Sequence, residues 1–343
     1  MADQGGEALG VHVADRPPAG VAAMRLRDLR RVLRDRWAVG SGILLVALLG
    51  SFFAAPLWAA HVAHTTFSDT HLTETISLDG KPTAVVSLLG VPIGPTWRGE
   101  FFLGADATGR DLMVRLLYGG RTTVLISAGA VALTLAIAMP LALAAGYFRG
   151  RTDALISRLL DLIWSFPALL LGVLLGTALT LKGARIGPWT IDSGSKLIPI
   201  AVIGLVYVPY LARPLRAQVL SLRERQFVEA ARATGAGPLR IMRTELLAHL
   251  RSSVLVLGTL LFANAVVLES ALSFLGAGVR PPEPSLGTLI ADGIDTVLLS
   301  PHLLLIPSIT LVLLVLSLTG LAEGLRRALD PRGELSVDLS RGQ

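Results

Sequence analysis

Four sets of side chains in this sequence have types and spacing that could support binding or chemistry. His61, His64 and His71 fall close together in a polar stretch, and imidazole is a ready transition-metal ligand. No carboxylate-histidine spacing of a metalloenzyme accompanies them, so solvated loop histidines are expected and no metal site is assigned. Asp106, Arg110 and Asp111 form a compact charged knot. It either pairs internally to orient the run that follows, 111–118, or contacts a docking partner on the outer side. Glu269 stands in an apolar run, where an ionisable group is a functional candidate by default. It would serve a pathway or an interface, unless a helix end or an interface arginine simply satisfies it. Phe227, Glu229, Ala230, Ala231, Thr234 and Gly235 make up the fourth set, which is suited to being gripped rather than to catalysis. The apolar runs hold no paired carboxylates or clustered histidines, no Gly-x-x-x-x-Gly-Lys-Ser/Thr phosphate loop occurs, and cysteine is absent. Covalent chemistry is therefore not expected.

The elements that carry these residues are mainly membrane spans. Over 343 residues the chain is 52% hydrophobic and 16% charged, whereas soluble domains have roughly 25% charged residues. A span needs about 20 mostly apolar residues, and six runs qualify, near 38–60, 122–146, 160–181, 197–215, 252–274 and 302–322. The charges that interrupt them are Asp161, Arg213 and Glu269. The expected fold class is an all-α integral membrane protein with six transmembrane helices. Its parts are an N-terminal tail (1–37), a first span, a long polar segment (61–117), a core (118–327) and a C-terminal tail (328–343).

Arginine distribution sets the expected orientation. Seven arginines lie in 1–37, three between Arg149 and Arg158, eight from Arg213 to Arg251 and four at the C-terminal end, against nine Lys/Arg elsewhere. Both termini and the 216–251 loop are thus expected in the cytoplasm and 61–117 outside. The basic surplus is an orientation signal, and nucleic acid is not needed to explain it. In the outer segment, Thr75 to Leu78 and Thr83 to Leu89 flank Leu78-Asp79-Gly80-Lys81, which predicts a β-hairpin. Pro140, Pro167, Pro199, Pro209 and Pro307 fall within spans, where each removes a backbone donor and tends to kink its helix.

The 227–250 stretch reads FVEAARATGAGPLRIMRTELLAHL. On a helix, Phe227, Ala230, Ala231 and Thr234 share one face, while Arg225, Glu229 and Arg232 occupy another at supporting spacing. Gly235 follows where a left-handed cap is wanted, and Pro238 suits the first turn of a new helix. The spacing predicts a helix-turn-helix on the cytoplasmic face. By composition alone, an interfacial helix resting on lipid headgroups is the simpler reading.

Glu229-Ala230-Ala231, three residues, then Gly235 resembles the "EAA…G" motif of integral membrane subunits of ABC importers. "LGADATGRDLMVRLLYGGR" (103–121), "AGYFRGRTDALISRLLDLIWSFPALLL" (145–171), "ARPLRAQVLSLRERQFVEAARATGA" (212–236), "LESALSFLGAGVRPPEPSLGTLIADG" (268–293) and "LDPR" (329–332) are similar to the second permease subunit of dipeptide, oligopeptide and nickel importers. The likeness spans roughly 103–332. It implies a multi-pass permease of a prokaryotic inner membrane whose cytoplasmic loop docks on an ATPase. The implied partners are a second homologous permease subunit, two cytosolic ABC ATPase subunits that use ATP and Mg, an extracytoplasmic substrate-binding protein and membrane lipid. This chain itself would bind no cofactor. The implied substrates are di- or oligopeptides, with nickel or another small solute as the alternative.

Two departures from the family pattern are visible. Leu247 is followed by Ala248 where the family has proline, so the second loop helix can run straight into the next span. Ala105 precedes Asp106 where a threonine is usual. The terminal "LSRGQ" (339–343) is similar to the signature of ABC ATPases, but with no phosphate loop it is taken as chance. A secondary transporter not driven by ATP would place charged residues at mid-span, which Glu269, near one end, supplies poorly.

Overall fold

The computed structural model describes residues 33, 35–78, 81–186 and 189–329. The hairpin tip Asp79-Gly80, most of both tails, the last three residues of "LDPR" and all of "LSRGQ" fall outside the described residues.

Four helices are continuous and long and apolar enough to cross a membrane: α1 (Arg36–Phe53), α2 (Leu112–Phe148), α8 (Pro238–Phe274) and α10 (His302–Leu329). Between them lie α3 (Gly150–Trp164), α4 (Ala168–Lys182), α5 (Leu197–Val206), α6 (Val208–Leu222), α7 (Gln226–Ala233) and α9 (Leu286–Ile294). The bundle therefore holds four candidate spans, or up to six if α3 with α4 and α5 with α6 each count as one bent span.

The predicted 160–181 run is not a straight helix. It breaks by 83° between Trp164 and Ala168. Pro167 has no N–H to continue the ladder, and Ser165 turns its Oγ back to the Leu162 carbonyl at 2.7 Å. The 197–215 run bends by 40° at Tyr207, just before Pro209 in the first turn of α6. Pro140 and Pro307 sit inside unbroken helices.

α2 is the central element and packs against α6, α5, α8 and α1, while α1 and α8 also pack along α10. Glycines set the closest approaches. A Cβ on Gly146 would meet Val219 at 2.6 Å, and one on Gly324 would meet Ala38 at 2.3 Å. Where small residues line a seam, backbones approach and dispersion contacts replace lipid.

The bundle has two distinct ends. At one, Asp35 meets Arg327 at 3.2 Å, Arg223 donates to the Tyr147 carbonyl at 2.5 Å, and Val256 packs against Ala38, Leu325 and Ala328. The start of α1, the end of α10 and the 226–250 stretch therefore share that end. At the other end, Trp58 packs edge-on to Phe102 and Lys196 pairs with Glu283 at 2.7 Å.

The 61–117 segment carries the predicted hairpin, with β1 (Thr75–Leu78) antiparallel to β2 (Lys81–Ala84) and Leu78 opposite Lys81. The second strand is earlier and shorter than Thr83 to Leu89, because Ser87 and Gly90 close a turn: the Gly90 N–H reaches the Ser87 carbonyl at 2.8 Å, with Gly90 at φ +75°. A second hairpin, β3 (Ala184–Ile186) with β4 (Trp189–Ile191), joins α4 to α5 and had no counterpart in the sequence reading.

Candidate functional site

The 226–250 stretch folds as a short helix, a tight turn and a long helix. α7 ends at Ala233, after which the Gly235 N–H bonds the Arg232 carbonyl at 2.9 Å and the Ala236 N–H bonds the Ala231 carbonyl at 3.0 Å. With Gly235 at φ +82°, this is the Schellman turn that glycine makes possible without steric cost. Pro238 then opens α8. The run from Pro238 to Phe274 is continuous, in line with Ala248 replacing a proline, but it widens to i→i+5 bonding between Ile241 and Leu246.

α7 lies with one face down. Val228 is fully buried, and Phe227, Ala231 and Ala236 pack against the core formed by α2, α6 and the start of α8. The Phe227 ring stacks on His249 with centroids 4.2 Å apart. Glu229, Ala230, Ala233 and Thr234 remain exposed. The predicted Phe227/Ala230/Ala231/Thr234 stripe is therefore divided, with Phe227 and Ala231 turned inward and Ala230 and Thr234 outward. Val228, which the sequence reading missed, is the deepest anchor. Its apolar side chain beside Phe227 was the available signal.

Ion pairs brace the chain leading into this stretch, and a cation–π contact ties α7 itself. Arg149 meets Glu224 at 2.5 Å, Arg216 binds Asp153 through two nitrogens at 2.5 and 2.6 Å, and the Arg232 guanidinium lies 5.4 Å from the Tyr147 ring centre. Asp161 and Arg213, the two charges intruding on predicted spans, pair with each other, and Arg213 also covers the Trp164 ring.

Glu269 is completely buried, and hydroxyls meet its carboxylate. Ser273 Oγ donates at 2.7 Å and Ser270 Oγ at 3.4 Å, with Thr123 and Ser285 also bonding it. Those hydroxyls have second roles: Thr123 Oγ1 accepts the Leu286 N–H and Ser285 caps α9. Glu269 thus joins α8, α2 and the start of α9 at one point.

Within the outer knot Asp106 pairs with Arg110, whereas Asp111 has other partners. Asp106 accepts from Arg110 Nε at 2.7 Å and from Arg115, and its other oxygen takes the Thr108 hydroxyl at 2.7 Å. Arg115 continues to Asp292 on α9 at 3.1 Å. Among the described residues, Asp111 joins no arginine. It caps α2 through the Val114 N–H at 3.0 Å and holds the Phe101 N–H at 2.8 Å. Burial pushes the Asp106 carboxyl up, but the Arg115 charge, the Arg110 N–H and the Arg110 charge outweigh it and leave the group below the ordinary range. Burial dominates at Asp111, which sits above that range despite its backbone bonds. Arg115 and Asp292 were missed by sequence reading, since nothing local connects residues so far apart. His71 bonds Glu74 at 2.8 Å and Thr65 at 3.0 Å, and among the described residues no group of three His, Asp or Glu is placed to hold a metal ion.

Residues 138–334 match the family described as "Binding-protein-dependent transport system inner membrane component". The chain belongs to this family. Members are the membrane-embedded permeases of ABC importers, and the chain is one of them. The family match includes α7, the Gly235 turn, α8 and Glu269, and leaves the 61–117 segment outside. The chain is 36% identical over 242 residues to the di/tripeptide transport system permease protein DppC of Pseudomonas aeruginosa, covering 69% of this chain and 76% of that protein. It is 33% identical over 321 residues to a Brucella ovis protein named as a peptide permease, covering 93% and 94%. Its fold resembles that of the MetNI methionine ABC transporter in inward-facing form, with a TM-score of 0.51 and 19% identity, covering 64% of this chain and 98% of the other.

Proposed function

We propose that this permease forms, with a second homologous permease subunit, the translocation pathway of an ATP-driven importer of di- and oligopeptides. The observation that carries the coupling part is α7 itself: a short helix anchored by Val228 and Phe227 beneath, with Glu229, Ala230 and Thr234 free above. It stands at the arginine-rich end of the bundle, which the positive-inside rule assigns to the cytoplasm together with both termini. Two cytosolic ATPase subunits bind ATP and Mg, and one of them grips this helix. Small side chains at Ala230 and Ala233 permit close approach, Glu229 supplies a charge to the docked surface, and Gly235 fixes the angle at which α7 meets α8. Closure of the ATPases pulls α7, and the pull passes into α8 and the spans beside it. This chain contributes no covalent step.

The peptide class follows from the names of the relatives, which match the chain along most of its length. An extracytoplasmic binding protein delivers the substrate, with the 61–117 segment on its side of the membrane. Asp106, Arg110 and Asp111 are buried or nearly so, so they shape that segment from within rather than present a docking surface. The test is parallel uptake of labelled dipeptide, longer peptide and nickel by vesicles holding the assembled complex. ATP-dependent peptide uptake is expected. Uptake of nickel alone would overturn the substrate class, and uptake without ATP would overturn the importer reading.

A further inference from the structure

Glu269 is a fully buried carboxyl group that neither the docking of α7 nor the passage of a substrate uses. Three of its hydroxyl partners share a second task, because each also takes a backbone N–H from the chain that enters α9. Ser273 Oγ accepts from Val279 at 3.1 Å, Thr123 Oγ1 from Leu286 at 3.1 Å and Ser285 Oγ from Thr288 at 3.2 Å. A hydroxyl has one proton to give, and these three give it to Glu269. The acceptor oxygens of Glu269 thus turn three hydroxyl lone pairs toward the start of α9.

Thr123 and Ser285 stand at one end of a closed frame. α9 runs on from Ser285 to Asp292, and α2 runs back from Thr123 to Arg115, stretches of about 10 and about 12 Å by helical rise. At the far end Asp292 meets Arg115 at 3.1 Å. Midway, a Cβ on Gly119 would lie 3.2 Å from Leu289 Cδ1. Two helices joined at both ends and packed between cannot slide past one another without breaking one of these ties. The frame reaches the 61–117 segment, because Arg115 also binds Asp106 and Asp111 caps α2. Glu269 is its corner on α8, where a Cβ on Gly287 would come within 2.1 Å of the Ser270 carbonyl oxygen.

We infer that Glu269 is a positioning residue that makes the α2/α9 frame follow α8, so that movement entering at α7 is delivered to the 61–117 segment at the opposite end of the bundle. The inference rests on the ATP-driven reading of α7. Along α8 Glu269 lies about 45 Å from Pro238 by helical rise, a distance that one continuous helix bridges. Without the carboxyl group, α8 shifts beneath α9 and the frame stays behind.

The assembled transporter is followed by amide exchange over 226–236, 285–294 and 106–115, with and without Mg and a non-hydrolysed ATP analogue. In the wild type the analogue should alter exchange in all three stretches. Glu269→Leu should keep the response at 226–236 and lose it at the other two. Glu269→Gln preserves size but keeps one acceptor oxygen of two, so its response at 285–294 should fall to about half. The glutamine variant decides the question should the leucine variant fail to assemble. If Glu269 only held the loop in place, exchange at 285–294 would rise equally with and without nucleotide and the response would be unchanged, a result that would overturn the inference. A wild type whose response at 226–236 does not extend to 285–294 and 106–115 would overturn it too, leaving the ATP-driven reading intact. No response at 226–236 in the wild type would overturn the ATP-driven reading, and the inference with it.

Discussion

The Phe227 ring lies nearly parallel to His249, 12° apart in plane, so α7 is clamped to α8 about three turns into that helix, on the far side of the Gly235 turn. The two helices meet through this stack as well as through the chain. Because α8 runs unbroken to Phe274, displacement of α7 reaches the level of Glu269 along one rigid element.

Phe227→Ala is therefore expected to loosen α7 from α8 while leaving Val228 as an anchor. The aromatic contact is worth about 0.5–1.5 kcal/mol beyond area burial. In reconstituted vesicles ATPase subunits should still co-purify, whereas substrate moved per ATP hydrolysed should fall. His249→Phe preserves a ring and should behave as the wild type; equal loss in both variants would speak against stacking as the cause.

Gly235→Val should act on the turn itself. At φ +82° an L side chain costs about 1–2 kcal/mol, more when β-branched, and nothing around the site would clash with a Cβ. The expected result is faster amide exchange across 226–236 and weaker ATPase co-purification, with Gly235→Asn much milder because asparagine tolerates this conformation. Equal behaviour of the valine and asparagine variants would remove backbone strain as the explanation.

Local signals in the sequence foretold α7, the Gly235 turn and the run-on into α8, because each rests on neighbours within a few residues. Proline was a poorer guide. Pro140 and Pro307 lie in unbroken helices, while Pro167 marks an 83° break. The difference lies in what precedes it: Ser165 and Phe166 already bond backward, to Leu162 and Ile163, and so terminate α3. Asp161 and Arg213 were each visible as a charge intruding on a span, but their pairing was not, since it depends on how α3 crosses α6. The hydroxyls around Glu269 come from three separate elements and were illegible for the same reason.

Arg115 ties the outer segment to the bundle. It is 3% exposed and bridges Asp106 to Asp292, which joins the start of α2 to α9. Arg115→Met leaves Asp106 buried beside Arg110 alone, and removing one partner from a buried pair costs about 3–5 kcal/mol. Thermal unfolding of the purified chain should shift down accordingly. Asp292→Asn, at a carboxylate 46% exposed, should cost far less.

Acid should loosen the same knot. Asp106 titrates below its ordinary value, so its contribution is fully present above the unfolded carboxylate value of about 3.9 and is lost as pH falls through the lower folded value. Asp111 has the opposite sign: its folded value is raised, so its term is retained in acid and declines as pH rises through that value. Amide exchange at Thr108 and Arg110, whose N–H groups bond Asp106, should therefore accelerate below pH ~4. In Asp106→Asn it should be already fast at neutral pH and insensitive to acid. An acid response unchanged by that substitution would assign it to another carboxylate.

Gly320→Leu tests whether α1 is held by close approach or by apolar area alone. A Cβ at this position would lie 2.1 Å from Ser41 Oγ and 3.0 Å from Ser41 Cβ, so any larger side chain must force the helices apart. Overpacking of this kind costs about 1–3 kcal/mol, although leucine is the better helix former and would stabilise α10 if propensity governed. The expected result is a lower unfolding temperature and greater protease access to α1. Ser41→Gly removes both atoms that the new side chain meets, so the double variant should recover much of the loss. If it does not, the seam tolerates separation and α1 is held by other contacts, such as Ala38 against Leu325 and Ala328.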